Sequence, residues 1–173
     1  NTLFIPKTLT KKGYSYVEMI EIQECSTLED VKIYFENMGK ILAFLHLFGA
    51  KDYHGENVLA SGRFPYLIDN ETILHFSENE TINTSIHKMY DFVANSVYST
   101  GILPMTLYSI NNNKGMEIGA LNSGARRESP YLTHQLSNVG TDEIRIEKVF
   151  KEVGSFPSTV RYDGENVSCS NYL

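Results

Sequence analysis

Four polar side chains with catalytic or metal-binding chemistry lie close together in the sequence: Asp52, His54, Asn57 and Asp69. A carboxylate can take a proton from a reacting hydroxyl, and an imidazole can orient or relay that proton. Carboxylate and carboxamide oxygens are also the ligands that Mg²⁺ prefers. The set therefore offers a candidate base, Asp52, with His54 beside it, and a candidate metal-binding pair, Asn57 and Asp69.

The segment between Asn57 and Asp69 predicts a β-hairpin. Residues 58–60 and 64–68 are short apolar runs, and Ser61-Gly62-Arg63 separates them as a turn. Pro65 near the start of the second strand is compatible with an edge position. A hairpin brings its two ends together, so Asn57 and Asp69 are expected to approach one another.

The spacing of these residues matches a phosphoryl-transfer pattern. Asp52 and Asn57 are five apart, as the base and the metal-binding Asn are in the kinase motif H-R-D-x-x-x-x-N, and Asp69 ends an apolar run as the Asp of D-F-G does. Glu71 is a candidate cofactor-binding residue, through outer contacts of the metal or by pairing with a cation. A lone D-x-x-x-x-N arises often by chance, and Asp69-Asn70-Glu71 also fits an ordinary turn.

Composition excludes several classes of protein. The net charge of −6 disfavours a nonspecific nucleic-acid footprint, and no apolar run approaches the roughly 20 residues of a membrane span. Cys25 and Cys169 form no C-x-x-C pair, so structural zinc is not expected and a reducing, cytoplasmic setting fits. No secretory signal is recognisable near residue 1, and the missing initiator Met suggests a piece of a longer chain.

The N-terminal half predicts a strand and a long helix. Residues 14–25 are rich in β-branched and aromatic residues and predict a mostly buried strand and its exit. Ser26 and Glu29 predict a capping box, and Gly49 predicts the end of a helix spanning about 28–48. Its apolar stripe follows steps of three and four: Leu28, Val31, Phe35, Met38, Leu42 and Leu45.

The C-terminal half gives weaker signals. Residues 77–84 predict a polar loop, 85–99 a helix, and 105–110 with 116–121 a hairpin whose turn is Asn111–Gly115. Residues 122–143 are rich in Ser, Asn and Gly and predict a long surface loop. Residues 144–149 and 160–162 predict short strands, and the latter leads into a Tyr162-Asp163-Gly164 turn.

Two motifs together resemble one family. D-Y-H-G-E-N-V-L-A-S-G at 52–62 and P-Y-L-I-D-N-E-T at 65–72 resemble the dehydratase domain of class II (LanM-type) lanthipeptide synthetases. The shared pattern is roughly D-x-H-x-E-N-[VI]-[LI]-A-x-G followed by P-x-L-[IV]-D-x-E-T. The runs G-K-I-L-A-F-L, G-Y-S-Y-V-E and V-R-Y-D-G-E-N-V-S are similar too, and Asn70 departs from the usual Leu.

The resemblance implies an α+β fold, the large lobe of a lipid-kinase-like or protein-kinase-like core. It implies ATP- and Mg²⁺-dependent phosphorylation of Ser and Thr in a ribosomal precursor peptide made of a leader and a core. Elimination of phosphate then leaves dehydro amino acids. By motif match, Asp52 and His54 fall on the phosphorylation residues, Asn57 and Asp69 on the metal pair, and Glu71 on the acid of D-x-E-T.

The same resemblance divides the chain and predicts what lies beyond it. Residues 14–25 are expected to form the hinge, with 21–25 offering backbone groups to adenine, and 26–173 most of the large lobe. The small lobe with its ATP-contacting Lys is expected before residue 1. The elimination residues and a zinc cyclase domain are expected after residue 173, so the isolated chain is expected to be inactive. Two other interpretations stay open: a kinase relative acting on another substrate, and a catalytically silent peptide-binding module.

Overall fold

The computed structural model describes residues 3–74, 84–109, 115–125 and 127–171. Within these ranges the fold is mixed, with two α-helices and ten short strands arranged as five antiparallel hairpins. Most of the polar loop predicted at 77–84, and most of the turn predicted at 111–115, lie outside the described residues. A kinase-like large lobe, with a hinge at 14–25, stays a prediction.

The first helix, α1 (Leu28–Leu47), is where the sequence predicts it. Its cap is one residue later than expected. Thr27, not Ser26, accepts the Asp30 N–H through its side chain, and the Asp30 carboxylate in turn accepts the Thr27 N–H, so the capping box is Thr27/Asp30 rather than Ser26/Glu29. Gly49, with φ of +66°, allows the chain to leave the helix in a left-handed conformation, as predicted.

The buried face of α1 differs in detail from the predicted stripe. Met38 and Leu45 are buried as expected, but Leu28 is 55% exposed and Leu42 is only partly buried. The buried stripe runs instead through Val31, Tyr34, Asn37, Met38, Ile41 and Leu45. It packs beside the hairpin of β3 (Val58–Ser61) and β4 (Phe64–Leu67), which the sequence also predicts.

The strand predicted within 14–25 is present at its start, as residues 14–17, but its predicted burial is wrong. The structure has a hairpin of β1 (Thr8–Lys11) and β2 (Tyr14–Val17), and both strands are exposed. Residues 18–22 carry no strand, and Met19 is 87% exposed. The prediction of burial rested on the apolar content of this segment, which has no consistent period. Among the described residues, no other layer packs against the hairpin.

A second helix, α2 (Ser85–Ala94), is shorter than the predicted 85–99 and buries none of its residues. A 3₁₀ turn (Val97–Thr100) follows it and ends at Gly101, whose φ is +82°. The strands β5 (Thr106–Tyr108) and β6 (Gly115–Glu117) form the hairpin predicted around the 111–115 turn.

The long loop predicted at 122–143 is wrong over residues 127–137, whereas residues 138–143 do form a turn. Residues 127–137 form β7 (Arg127–Ser137), which pairs with β8 (Arg145–Val153), the latter confirming the strand predicted near 144–149. The last hairpin joins β9 (Val160–Tyr162), as predicted, to β10 (Glu165–Val167) through Asp163-Gly164.

Candidate functional site

The loop between α1 and β3 carries Asp52, His54 and Asn57, and three hydrogen bonds fix its course. The Tyr53 N–H donates to the Thr100 carbonyl at 2.8 Å, and the Gly55 N–H donates to the Ile118 carbonyl at 2.9 Å. The Ser158 N–H donates to the Gly55 carbonyl at 3.3 Å. Three distant segments therefore hold the backbone of this loop, while the side chain of Asp52 remains exposed.

Asp52 and Asp69 share an unusual backbone conformation. Their φ angles are +67° and +56°, in the left-handed region that few residues other than Gly, Asn and Asp adopt readily. Strain of this kind clusters at functional sites. It is not specific to them, since Asn138 and Asp163 also have positive φ.

His54 is placed beside Asp52 by its own hydrogen bond. The Glu56 N–H donates to His54 Nδ1 at 3.2 Å, and His54 Nε2 lies 3.4 Å from Asp52 Oδ1. In a neutral imidazole that accepts at Nδ1, the proton is on Nε2 and points toward the Asp52 carboxylate. The predicted proximity of these two side chains is present, and the pairing suits His54 to orienting Asp52.

Asn57 is oriented so that its oxygen is the atom left for a ligand. Its Nδ2 donates to the Asp52 carbonyl at 2.7 Å, which fixes the side-chain amide. On the backbone, the Ile68 N–H donates to the Asn57 carbonyl at 3.0 Å, one residue before Asp69. The hairpin therefore brings the loop of Asn57 against the loop of Asp69, as the sequence predicts.

Asp69 itself is exposed at the end of β4, and Glu71 is exposed in the 3₁₀ turn (Asn70–Thr72) that follows. Burial, and next the charge of Asp69, raise the pKa of the Tyr53 hydroxyl. Within the described ranges, no three His, Cys, Asp or Glu side chains converge as a metal site. The candidate pair is one carboxylate and one carboxamide, which suits a cation that keeps much of its water.

Two contacts that the sequence reasoning missed tie the Asp69 loop to the Asp52 loop. The Tyr53 hydroxyl donates to Asn70 Oδ1 at 3.1 Å, and the Thr72 hydroxyl donates to the Lys51 carbonyl. Asn70, the departure from the family pattern, thus faces Tyr53. The order Asp52-Tyr53-His54 could have indicated the Tyr53 contact, because in an extended segment Tyr53 points to the side opposite Asp52 and His54.

A buried carboxamide, also missed, supports the site from behind. Asn122 Nδ2 donates to the Gly119 and Ala120 carbonyls and to Ser158 Oγ, and its Oδ1 accepts from the Gly124 N–H and the Thr159 hydroxyl. This network fixes the segment whose Ser158 contacts Gly55. No local sequence pattern predicts it, because Ser158 and Thr159 are more than thirty positions from Asn122.

The residues predicted as a nucleotide hinge border an open cleft of about 520 Å³, lined by residues 19–21, 23, 24, 26, 30, 61–64 and 66. The Gln23 carbonyl accepts from the Gly62 N–H at 3.0 Å, and the Cys25 N–H donates to the Arg161 carbonyl at 2.8 Å. Both backbone groups are therefore already engaged. Burial, with the charge of Asp30, raises the pKa of the Cys25 thiol to about 11, against the opposing effect of Arg63.

The model of a family described as "Domain of unknown function (DUF4135)" matches residues 1–173. The chain belongs to this family. It is also 26% identical over 157 residues to the Lacticin 481/lactococcin biosynthesis protein LcnDR2 of Lactococcus lactis subsp. lactis. The match covers 86% of this chain and 16% of that protein, so the chain spans a small part of its relative's length.

Proposed function

We propose that this chain carries the phosphorylation site of a lanthipeptide dehydratase. In this proposal the intact protein transfers phosphate from ATP to Ser and Thr of a ribosomal precursor peptide and then eliminates it. The observation that carries the proposal is the junction of two loops: Asn57 bonds to Asp52 through its side chain and to Ile68 through its backbone. The likeness to a lacticin 481 biosynthesis protein supports peptide maturation as the setting.

Asp52 is the proposed base. Its carboxylate accepts the proton of the acceptor hydroxyl, a role that requires a charged oxygen open to the peptide, and Asp52 is exposed. His54 lies beside this carboxylate, with its Nε2 facing Asp52 Oδ1. The Asn57 amide, bonded to the Asp52 carbonyl, keeps the strained backbone of Asp52 in place.

Asn57 and Asp69 would hold Mg²⁺. The fit rests on the Asn57 side chain, whose nitrogen is engaged by Asp52 so that Oδ1 is the available ligand atom. Asp69 supplies a carboxylate from the adjoining loop, and Glu71 a second acid two residues on. When bound, the ion neutralises charge on the phosphates of ATP.

The adenine of ATP would lie in the cleft beside residues 19–24. Because the Gln23 carbonyl and the Cys25 N–H are engaged, the backbone groups of residues 21 and 24, which line the cleft, are the proposed contacts. The small lobe, the elimination residues and a cyclase domain belong to the remainder of the proposed synthetase. Among the described residues, neither helix has the length and apolarity needed to cross a membrane.

The deciding experiment replaces Asp69 by Asn in the intact protein. Asn tolerates the left-handed backbone, so the change removes charge with little strain. Asp163→Asn is the matched control, because Asp163 is also an exposed Asp with positive φ, in the turn between β9 and β10. The precursor is incubated with ATP and Mg²⁺ and followed by mass, and Mg²⁺-nucleotide binding is measured by calorimetry.

Asp69→Asn is expected to lose phosphate transfer and Mg²⁺-dependent nucleotide binding, while Asp163→Asn retains both. Normal dehydration by Asp69→Asn would mean that Asp69 is not a metal ligand. Absence of nucleotide binding in the unsubstituted protein would favour a silent peptide-binding module instead. Phosphorylation of a small molecule but not of the peptide would favour another kind of kinase.

A further inference from the structure

A groove of about 330 Å³ opens directly beside Asp52 and His54. One wall is α2 with the 3₁₀ turn after it, and the other is formed by the residues just before β5 and just after β6. The side chains that shape it are mostly apolar: Tyr90, Val93, Ala94, Tyr98, Met105 and Ile118.

The groove meets the candidate base because the turn after α2 is packed tightly on the Asp52 loop. The Tyr53 N–H bonds to the Thr100 carbonyl. A Cβ added to Gly101 would lie 3.0 Å from the backbone nitrogen of His54 and 3.0 Å from the carbonyl carbon of Tyr53. The φ angle at Gly101 is +82°. Gly101 therefore permits an approach that a side chain would prevent.

The chemistry of the groove favours an uncharged, apolar occupant. Apart from Asp52 and His54 at its end, its lining has no acidic or basic side chain. Tyr90 is 65% exposed and Val93 is 48% exposed, so these side chains present apolar surface to solvent. Covering such surface with an apolar group removes it from water, which favours binding.

The position of the groove indicates which molecule supplies that group. A Ser or Thr hydroxyl is one carbon from its main chain, so a peptide reacting at Asp52 must run close to this carboxylate. An extended chain advances about 3.3 Å per residue, which carries the next side chains over the groove. We propose that the groove receives an apolar side chain flanking the Ser or Thr to be phosphorylated. This inference rests on the proposed function and adds a sequence preference to it.

A binding test that needs no turnover uses photo-cross-linking. The probe is a synthetic decapeptide with one Ser, flanked by photo-leucine on one side in one peptide and on the other side in a second. After irradiation with the intact protein, peptide mapping should place adducts within residues 90–98 or at Met105. Adducts only elsewhere, or none because another segment of the protein covers the groove, would overturn the proposal.

A rate test uses the same decapeptides with Leu, Ala, Lys or Glu beside the Ser, in the presence of ATP and Mg²⁺. The unsubstituted protein should phosphorylate the Leu peptide about ten-fold faster than the Lys peptide, the scale at which one apolar pocket discriminates. Ala94→Phe, which fills the groove, should reduce this ratio to below about three-fold. Ser85→Phe adds the same ring to α2 away from the groove and should leave the ratio unchanged.

A substitution that changes which peptide is preferred distinguishes an effect on specificity from a folding defect. Val93→Lys places a cation in the groove at a half-exposed position and should raise the rate on the Glu peptide about five-fold relative to the unsubstituted protein. Equal rates on all four peptides would overturn the proposal that the groove receives a flanking side chain, while the proposed phosphoryl transfer would stand. Adducts in the groove without any phosphorylation would support the groove and count against the proposed function.

Discussion

The buried hydroxyl of Tyr53 donates a hydrogen bond to Oδ1 of Asn70 at 3.1 Å and so joins the loop of the candidate base to the loop of the candidate metal ligand. Tyr53 lies between Asp52 and His54, and Asn70 directly follows Asp69. The two candidate loops are thus held together by the residues next to Asp52, His54 and Asp69. Asn70 also donates to the Leu67 carbonyl at 3.5 Å.

Removing one partner of this pair should cost more stability than removing both. Tyr53→Phe leaves Asn70 without its donor and is expected to lower the free energy of unfolding by about 1 kcal/mol, and Asn70→Leu by a similar amount. The double variant replaces both groups by apolar ones and should recover most of the loss. Urea unfolding of the four proteins measures the cycle. Strictly additive losses would mean that the hydrogen bond makes no net contribution.

Gly55 tests the contact between the Asp52 loop and the segment before β9. A Cβ at Gly55 would lie 2.6 Å from Cγ of Phe156, so Gly55→Ala should cost about 1–3 kcal/mol of stability. Gly154→Ala is the control in the neighbouring segment, because its added Cβ meets nothing within 4 Å. Phe156→Ala removes Cγ and Cδ2, two of the three atoms that this Cβ would meet, so combined with Gly55→Ala it should restore part of the loss. Equal melting temperatures for Gly55→Ala and Gly154→Ala would contradict the close approach.

The helix α1 gives a graded test of core packing. Ile41 is fully buried, and Ile41→Ala should cost about 2–5 kcal/mol. Leu42→Ala, at a partly buried position, should cost less than Ile41→Ala. Leu28→Ala, at a 55% exposed position, should stay within about 0.5 kcal/mol of the unsubstituted protein. Thermal melting ranks the three, and the reverse order for Ile41 and Leu42 would mean that α1 is rotated.

Elements with strong local patterns were predictable from the sequence. The helix α1 combines a capping box, a period of three and four, and a terminal Gly, and the β3–β4 hairpin has a turn between two apolar runs. The strand β7 has no such pattern, since residues 131–136 are all exposed and pairing with β8 leaves no buried face to impose alternation. A strand of this kind is specified by its partner rather than by its own composition.

The candidate site was also only partly predictable from the sequence. The spacing of Asp52, Asn57 and Asp69 predicted that one hairpin brings their loops together, and the backbone bond from Ile68 to Asn57 agrees with this. The supports of the site were not predictable, because Tyr53–Asn70 and Asn122–Ser158 join residues that have no regular spacing. The side-chain pattern identifies candidate chemistry, whereas the contacts that fix its geometry depend on the complete fold.

The final prediction separates the two proposed chemical steps at Asp52. Elimination requires a base at the α-proton and a cation for the departing phosphate, whereas phosphorylation requires a base at the hydroxyl. Asp52→Asn is the preferred variant, since Asn accepts the +67° φ angle that would strain Ala. In the intact protein it should fail to phosphorylate unmodified precursor. It should still remove phosphate from precursor supplied already phosphorylated, with ADP and Mg²⁺ present.

Both reactions are followed by the mass of the precursor, as a phosphate gained or as a phosphate lost to leave a dehydro residue. His54→Gln is a companion variant, because it alters the group beside Asp52 without removing the carboxylate, and it should slow phosphorylation less than Asp52→Asn does. If Asp52→Asn lost elimination as completely as phosphorylation while its melting temperature was unchanged, Asp52 would serve both steps. The separation is expected because a carboxylate such as Asp52 can act as a base but cannot be the cation that the departing phosphate requires.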